Sequence, residues 1–126
     1  MDDNEKWIRE QLERCQPFLE RAINKFDEPY NFEYVKSEVL SGKSQLWPAH
    51  NSALVTRIET YPDGSKSCLY WLAGGELEEL RNLEKTVSEW AKTKMGCDEV
   101  CIIGRRGWLK ALDNFTEKQV MLTRKI

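Results

Sequence analysis

Residues 52 to 73, SALVTRIETYPDGSKSCLYWLA, hold two strand-like runs on either side of a turn signal. In the first run Leu54, Thr56 and Ile58 point one way and Val55, Arg57 and Glu59 the other, the two-residue period of a strand. Pro62, Asp63 and Gly64 each suit a tight turn, and KSCLYWLA, residues 66 to 73, returns. The pattern predicts an antiparallel hairpin, and the rest of the chain is read around it.

After Gly74-Gly75, Leu77, Leu80, Leu83, Val87, Trp90 and Ala91 recur every three or four residues. This predicts a long amphipathic helix, ended by Gly96 at a left-handed position. DEVCIIG, residues 98 to 104, reads as a buried strand, followed by a short helix over roughly 107 to 112 and a last strand over 119 to 122. A strand joined to the next strand by a long helix is a crossover, so that pair is expected to be parallel.

Upstream of the hairpin, Gln45 to Trp47 reads as a short strand stopped at Pro48. Trp7, Ile8, Leu12, Cys15, Leu19, Ala22, Ile23 and Phe26 keep helical spacing, but Pro17 falls among them. Proline removes a helical hydrogen bond and clashes with the preceding turn, so two helices meeting near Gln16 are expected. Residues 27 to 31, DEPYN, read as a loop before a second helical segment, Phe32 to Leu40, with Gly42 near its cap. The expected fold class is α+β: a mixed, mostly antiparallel sheet with helices packed on it. One domain spans 1–126, with a helical N-terminal part at 4–41 and a sheet and helix core at 42–126.

With 126 residues the chain is large enough to bury about two thirds of its unfolded surface. Its 19 basic and 21 acidic residues give a net charge of -2, which argues against nucleic acid and against an anionic membrane as partners. No apolar run approaches the roughly 20 residues that span a bilayer, and the opening MDDNEKW is too acidic for a secretory signal. A cytoplasmic protein is expected. Cys15, Cys68, Cys97 and Cys101 then read as reduced thiols, and with one histidine, His50, a metal site is not expected.

The order of elements resembles the acyl-CoA N-acyltransferase fold of the GNAT superfamily. Several strings are similar to those of small phage and prophage proteins with that fold. They are GKSQLWP at 42 to 48, ALVTRIETYP at 53 to 62, LAGGELEEL at 72 to 80, EWAKTKMGC at 89 to 97 and IIGRRGWLKAL at 102 to 112. The resemblance implies a diphosphate-binding turn before the long helix, with the pattern Gln/Arg-x-x-Gly-x-Gly/Ala. With Gly74 as its first glycine, Trp71 stands where Gln or Arg belongs and Glu76 where a small residue belongs.

A helix N-terminus attracts anions, but Glu76, Glu78 and Glu79 already supply that charge, each contributing about 0.3–1 kcal/mol. Gly74-Gly75 therefore reads as a structural turn rather than as a cofactor loop. Arg105 and Arg106, beside the cleft that the resemblance implies, suit a phosphate, a carboxylate or an acidic partner surface, and equally an ion pair with a glutamate of the long helix. Trp108 reads as a core anchor. The tyrosine that supplies a proton from the short helix of the resembling enzymes has no counterpart in GWLKAL. Glu59 and His50 qualify as bases by residue type alone.

These departures lead to the expectation of a phage-encoded accessory or assembly protein on a GNAT-like scaffold, without acyltransferase activity and without a cofactor. It would act in the host cytoplasm or with the virion and bind a phage or host protein. The partner surface would use Trp47-Pro48, Tyr61-Pro62 or Arg105-Arg106. The alternative is an N-acyltransferase that takes acetyl-CoA or another acyl-CoA at a non-standard site of Gly74, Gly75, Arg105 and Arg106.

Overall fold

A computed structural model of the chain describes residues 2–25, 28–104 and 107–126. Helices α1 (Asp3–Lys25) and α2 (Phe32–Leu40) come first. Strands β1 (Gln45–Pro48), β2 (Ser52–Thr60) and β3 (Lys66–Gly75) follow, then helix α3 (Leu77–Thr93), strand β4 (Glu99–Ile102) and the single turn α4 (Gly107–Ala111). The strands lie in the order β1-β2-β3-β4. The first three are antiparallel neighbours, and β4 joins β3 in parallel, as the crossover through α3 requires.

The two faces of β2 decide the layers. Val55 packs with Ala53 and Leu72 under the buried side of α1 and α2, where Leu12, Cys15, Leu19, Phe32 and Val35 lie. On the other face Leu54 joins Cys68 and Tyr70 beneath Val87 and Ala91 of α3. The register slips once: Val55 is opposite Leu72 but Thr56 is opposite Tyr70, so Trp71 is left unmatched. This bulge puts the consecutive residues Trp71 and Leu72 against the same α1–α2 core.

Four expectations need correction. The N-terminal segment is one helix that runs through Pro17. Pro17 and Glu13 are both exposed, so water can solvate the carbonyl that loses its donor. The opposite stripe buries Leu12, Cys15, Leu19, Ala22 and Ile23. At about 1.5–3 kcal/mol for each fully buried leucine-sized side chain, that stripe outweighs a cost of about 3 kcal/mol for an interior proline.

Strand β3 does not stop at Ala73 but continues through both glycines, with Gly74 opposite Ala53 and Gly75 opposite Ser52. Strand β4 is a half-exposed edge strand rather than a buried one. The last strand expected at 119 to 122 is absent: those residues form no helix or strand and are exposed. Residues 119 to 122 pair with no strand among the described residues. Phe26 and Asp27, read as helix end and loop start, lie outside the described residues.

Candidate functional site: a cleft where two strands part

Strands β3 and β4 pair over only four rungs, ending at Tyr70 opposite Ile102. Beyond that rung β3 continues from Trp71 to Gly75 with no strand on its β4 side, among the described residues. The gap is a cavity of about 50 Å³. Leu54, Leu72 and Ala73 of the sheet line it, with Leu80 and Glu84 of α3, Ile102 of β4, and Trp108 and Leu112 at α4. Ala22 and Glu28 complete the wall from the other face.

Tyr70 and Glu84 are the polar pair inside this apolar wall. Tyr70 is buried, and its hydroxyl donates a short hydrogen bond to Glu84 Oε2. Burial first, and then the Glu84 hydrogen bond and charge, push the phenol well above its ordinary value of 10.0. Tyr70 therefore keeps its proton throughout the physiological range. The Phe115 ring packs near it, with centroids 6.4 Å apart.

Sequence reasoning missed both residues, though a signal existed for Glu84. It lies four residues after Leu80 and three before Val87, on the face that α3 buries. A carboxylate on an apolar stripe needs a partner, and Tyr70 is that partner. Trp108, read as a core anchor, is only half-buried and lines the cleft instead, and no residue of α4 is buried.

The glycine pair sits at the far end of the same β3 segment. A Cβ on Gly74 would lie 2.2 Å from the carbonyl oxygen of Phe18, so the α1 main chain rests directly on this residue. Gly75 has φ +116°, and a Cβ there would lie 2.2 Å from the Asn51 carbonyl oxygen. Both glycines thus serve close backbone approach by α1 and by the β1–β2 connection.

The carboxylates around them are committed to protein groups. Glu79 Oε1 accepts from the Ser52 hydroxyl at 2.6 Å and from the Asn51 backbone N–H at 2.8 Å. These bonds, the Ser52 one foremost, hold the Glu79 carboxyl below its ordinary value, helped by the charges of His50 and Arg14. Glu76 is the N-cap of α3, and its side chain accepts from Asn51 Nδ2 at 3.2 Å rather than capping the helix. Glu78 pairs with Arg81, whose Nε also donates to the Ala111 carbonyl at 2.8 Å. From α1, Arg14 donates to the carbonyls of Ala49 and His50.

The other candidates are scattered. Arg105 and Arg106 lie outside the described residues. Glu59 is exposed near the opposite end of β2 from Leu54, and His50 sits in the connection between β1 and β2. Cys68 is buried, and burial first pushes its thiol up to about 12. No group of three or more His, Cys, Asp or Glu residues that could hold a metal occurs among the described residues. Trp47 is a half-buried strand residue rather than a free loop aromatic: it meets Trp90 edge-on at 4.9 Å and donates to Thr56 Oγ1 at 3.0 Å. Tyr61, in the hairpin turn, is exposed.

The architecture is thus an α+β fold with a four-stranded mixed sheet between helical layers. No family model matches the chain, and no curated protein matches it significantly. Among solved structures it is similar to wild-type TTHA1254 from Thermus thermophilus, with a TM-score of 0.60 and 17% identity over 93% of this chain and 91% of that one. A point mutant of the same Thermus protein gives a TM-score of 0.61 with the same identity and coverage. At this identity the likeness concerns the fold alone. No helix among the described residues is long and apolar enough to cross a membrane.

Proposed function

We propose that the chain is a phage-encoded accessory or assembly protein on a GNAT-like scaffold, acting without acyltransferase activity. The observation that carries this reading is the occupied turn between β3 and α3. Glu79 is bonded to Ser52 and Asn51 there, and the backbone of Phe18 covers Gly74. A diphosphate at this turn would meet Glu76, Glu78 and Glu79 as like charges. The phage origin rests on the sequence strings given above, and the partner would be a phage or host protein.

Thermal unfolding with added acetyl-CoA tests the reading. A ligand at 100 times its dissociation constant stabilises by about 2.7 kcal/mol, which moves the midpoint visibly. No shift at millimolar acetyl-CoA is the expected result, and a saturable shift overturns the proposal.

One observation favours the second reading, a CoA-dependent N-acyltransferase. The parting of β3 from β4 leaves a strand edge beside an apolar cavity, with the protonated Tyr70 at its vertex. The phenol proton is held by Glu84, so a thiolate leaving group would have to compete with Glu84 for it. Under this reading acetyl-CoA binds, and Tyr70 rather than a residue of α4 supplies the acid.

A further inference from the structure

Two unused features of the molecule fit each other. The first is the edge of β4. It pairs with β3 alone, and no backbone hydrogen bond from another described segment reaches the main chain of residues 99 to 102 on its outer side. Ile103, just past its end, is 71% exposed. An open edge of this kind is a template for another strand.

The second feature is the C-terminal segment QVMLT. Val120, Met121 and Leu122 are 57%, 77% and 88% exposed, and the segment forms no element of its own. Three consecutive apolar residues held in water need a covering surface.

The path of the chain explains why its own β4 does not provide one. Phe115 packs by Tyr70, and Tyr70 is in register with Ile102 at the end of β4. Three residues later, Lys118 Nζ lies 3.9 Å from Glu99 Oε2, at the start of β4. Residues 115 to 118 thus pass from beside Tyr70 to within reach of Glu99, and the exposed triplet follows them without pairing to β4.

We infer that residues 119–123 of one copy add as a fifth strand to the β4 edge of a second copy, each chain donating and accepting. Such an exchange closes on itself with two-fold symmetry and leaves neither edge open. Charge sets the direction. Strand β4 starts at Asp98-Glu99, and the segment ends in Arg124-Lys125, so an antiparallel pairing brings Arg124 opposite Glu99. That register sets Leu122 opposite Cys101 and Val120 opposite Ile103.

Sedimentation equilibrium of the full chain tests the inference together with a cross-link. The wild type is expected to be dimeric at micromolar concentration. Val120→Pro, which removes a ladder donor from an exposed position, is expected to be monomeric with an unchanged circular dichroism spectrum and a thermal midpoint that no longer rises with protein concentration as the wild type's does. Mild oxidation of Leu122→Cys should give a disulfide-linked dimer that Cys101→Ser abolishes. A monomeric wild type overturns the inference, whether or not its residues 119 to 122 are protected in amide exchange. So does a Val120→Pro dimer, or a Leu122→Cys cross-link that survives loss of Cys101.

Discussion

Glu79 Oε1 accepts a 2.6 Å hydrogen bond from Ser52 Oγ, joining the first turn of α3 to a serine at the start of β2 that has no solvent exposure. The same oxygen takes the Asn51 N–H. Removing Glu79 therefore strands a buried hydroxyl and a backbone donor together. The contact also fixes the connection from β1 to β2 against α3, and Arg14 of α1 holds the same connection through the Ala49 and His50 carbonyls.

This contact predicts a pH dependence. The Glu79 carboxyl is held below its ordinary value of 4.5, so its contribution to stability is complete above that value and is lost as pH falls through the folded value. The difference in urea midpoint between wild type and Glu79→Gln should be constant near neutrality and shrink below pH 4.5. A difference that stays constant down to pH 3, about 1.5 units below the ordinary 4.5, would show that the ionised carboxylate is not what matters.

Gly74→Ala should destabilise through overpacking. The added methyl would lie 2.2 Å from the Phe18 carbonyl oxygen, a backbone atom in the middle of α1, so the helix must move. The expected loss is about 1–3 kcal/mol by urea unfolding, the usual range for added core volume. Gly74 is not among the positive-φ glycines, so the loss reports the clash alone, whereas alanine at Gly64, φ +86° with nothing within 4 Å of a Cβ, would report left-handed backbone strain alone.

Glu38 and Arg57 form the most enclosed ion pair described, at 3.1 Å, with side-chain exposures of 11% and 28%. Arg57 also lies 4.4 Å over the Trp71 ring, which Tyr30 and Tyr34 flank. Glu38→Ala should cost about 1–2 kcal/mol, less than a fully buried pair because water still reaches the guanidinium. In the Arg57→Ala background the same change should cost less than half as much, and equal costs would mean that the pair contributes nothing.

The periodic parts of the fold were readable because their partners lie nearby in sequence. The hairpin, the long helix and the parallel crossover follow from Leu54 and Val55 facing apart, from the Leu77 to Ala91 stripe and from the connection length. Pro17 misled because its cost is local, whereas the burial of Leu12 and Leu19 that outweighs it is tertiary. Gly74-Gly75 looked like a turn because no sequence pattern reveals that the Phe18 backbone will rest there. The cleft was least legible. It arises where β3 outlasts β4, a difference in strand length that places Tyr70 beside Glu84 although 14 residues separate them.

Tyr70 gives the last prediction. Its phenol is raised above the ordinary 10.0 by burial and by Glu84, so the neutral form is favoured in the folded state. The contribution is fully present below pH 10.0 and is lost as pH climbs from there toward the folded value. Tyr70→Phe should cost about 1.5–3 kcal/mol at neutral pH, because it leaves the Glu84 carboxylate without its donor. The cost should shrink above pH 10.0, where wild-type stability falls and that of Tyr70→Phe falls less steeply. Tyrosinate absorbance gives an independent reading: of the four tyrosines, Tyr30 is pushed up to about 12 by burial, and Tyr70 should resist ionisation until the protein unfolds, a component that Tyr70→Phe should remove. If all four ionise together near pH 10 in the folded chain, Tyr70 is open to water and the cleft is not the enclosed apolar site that its lining indicates.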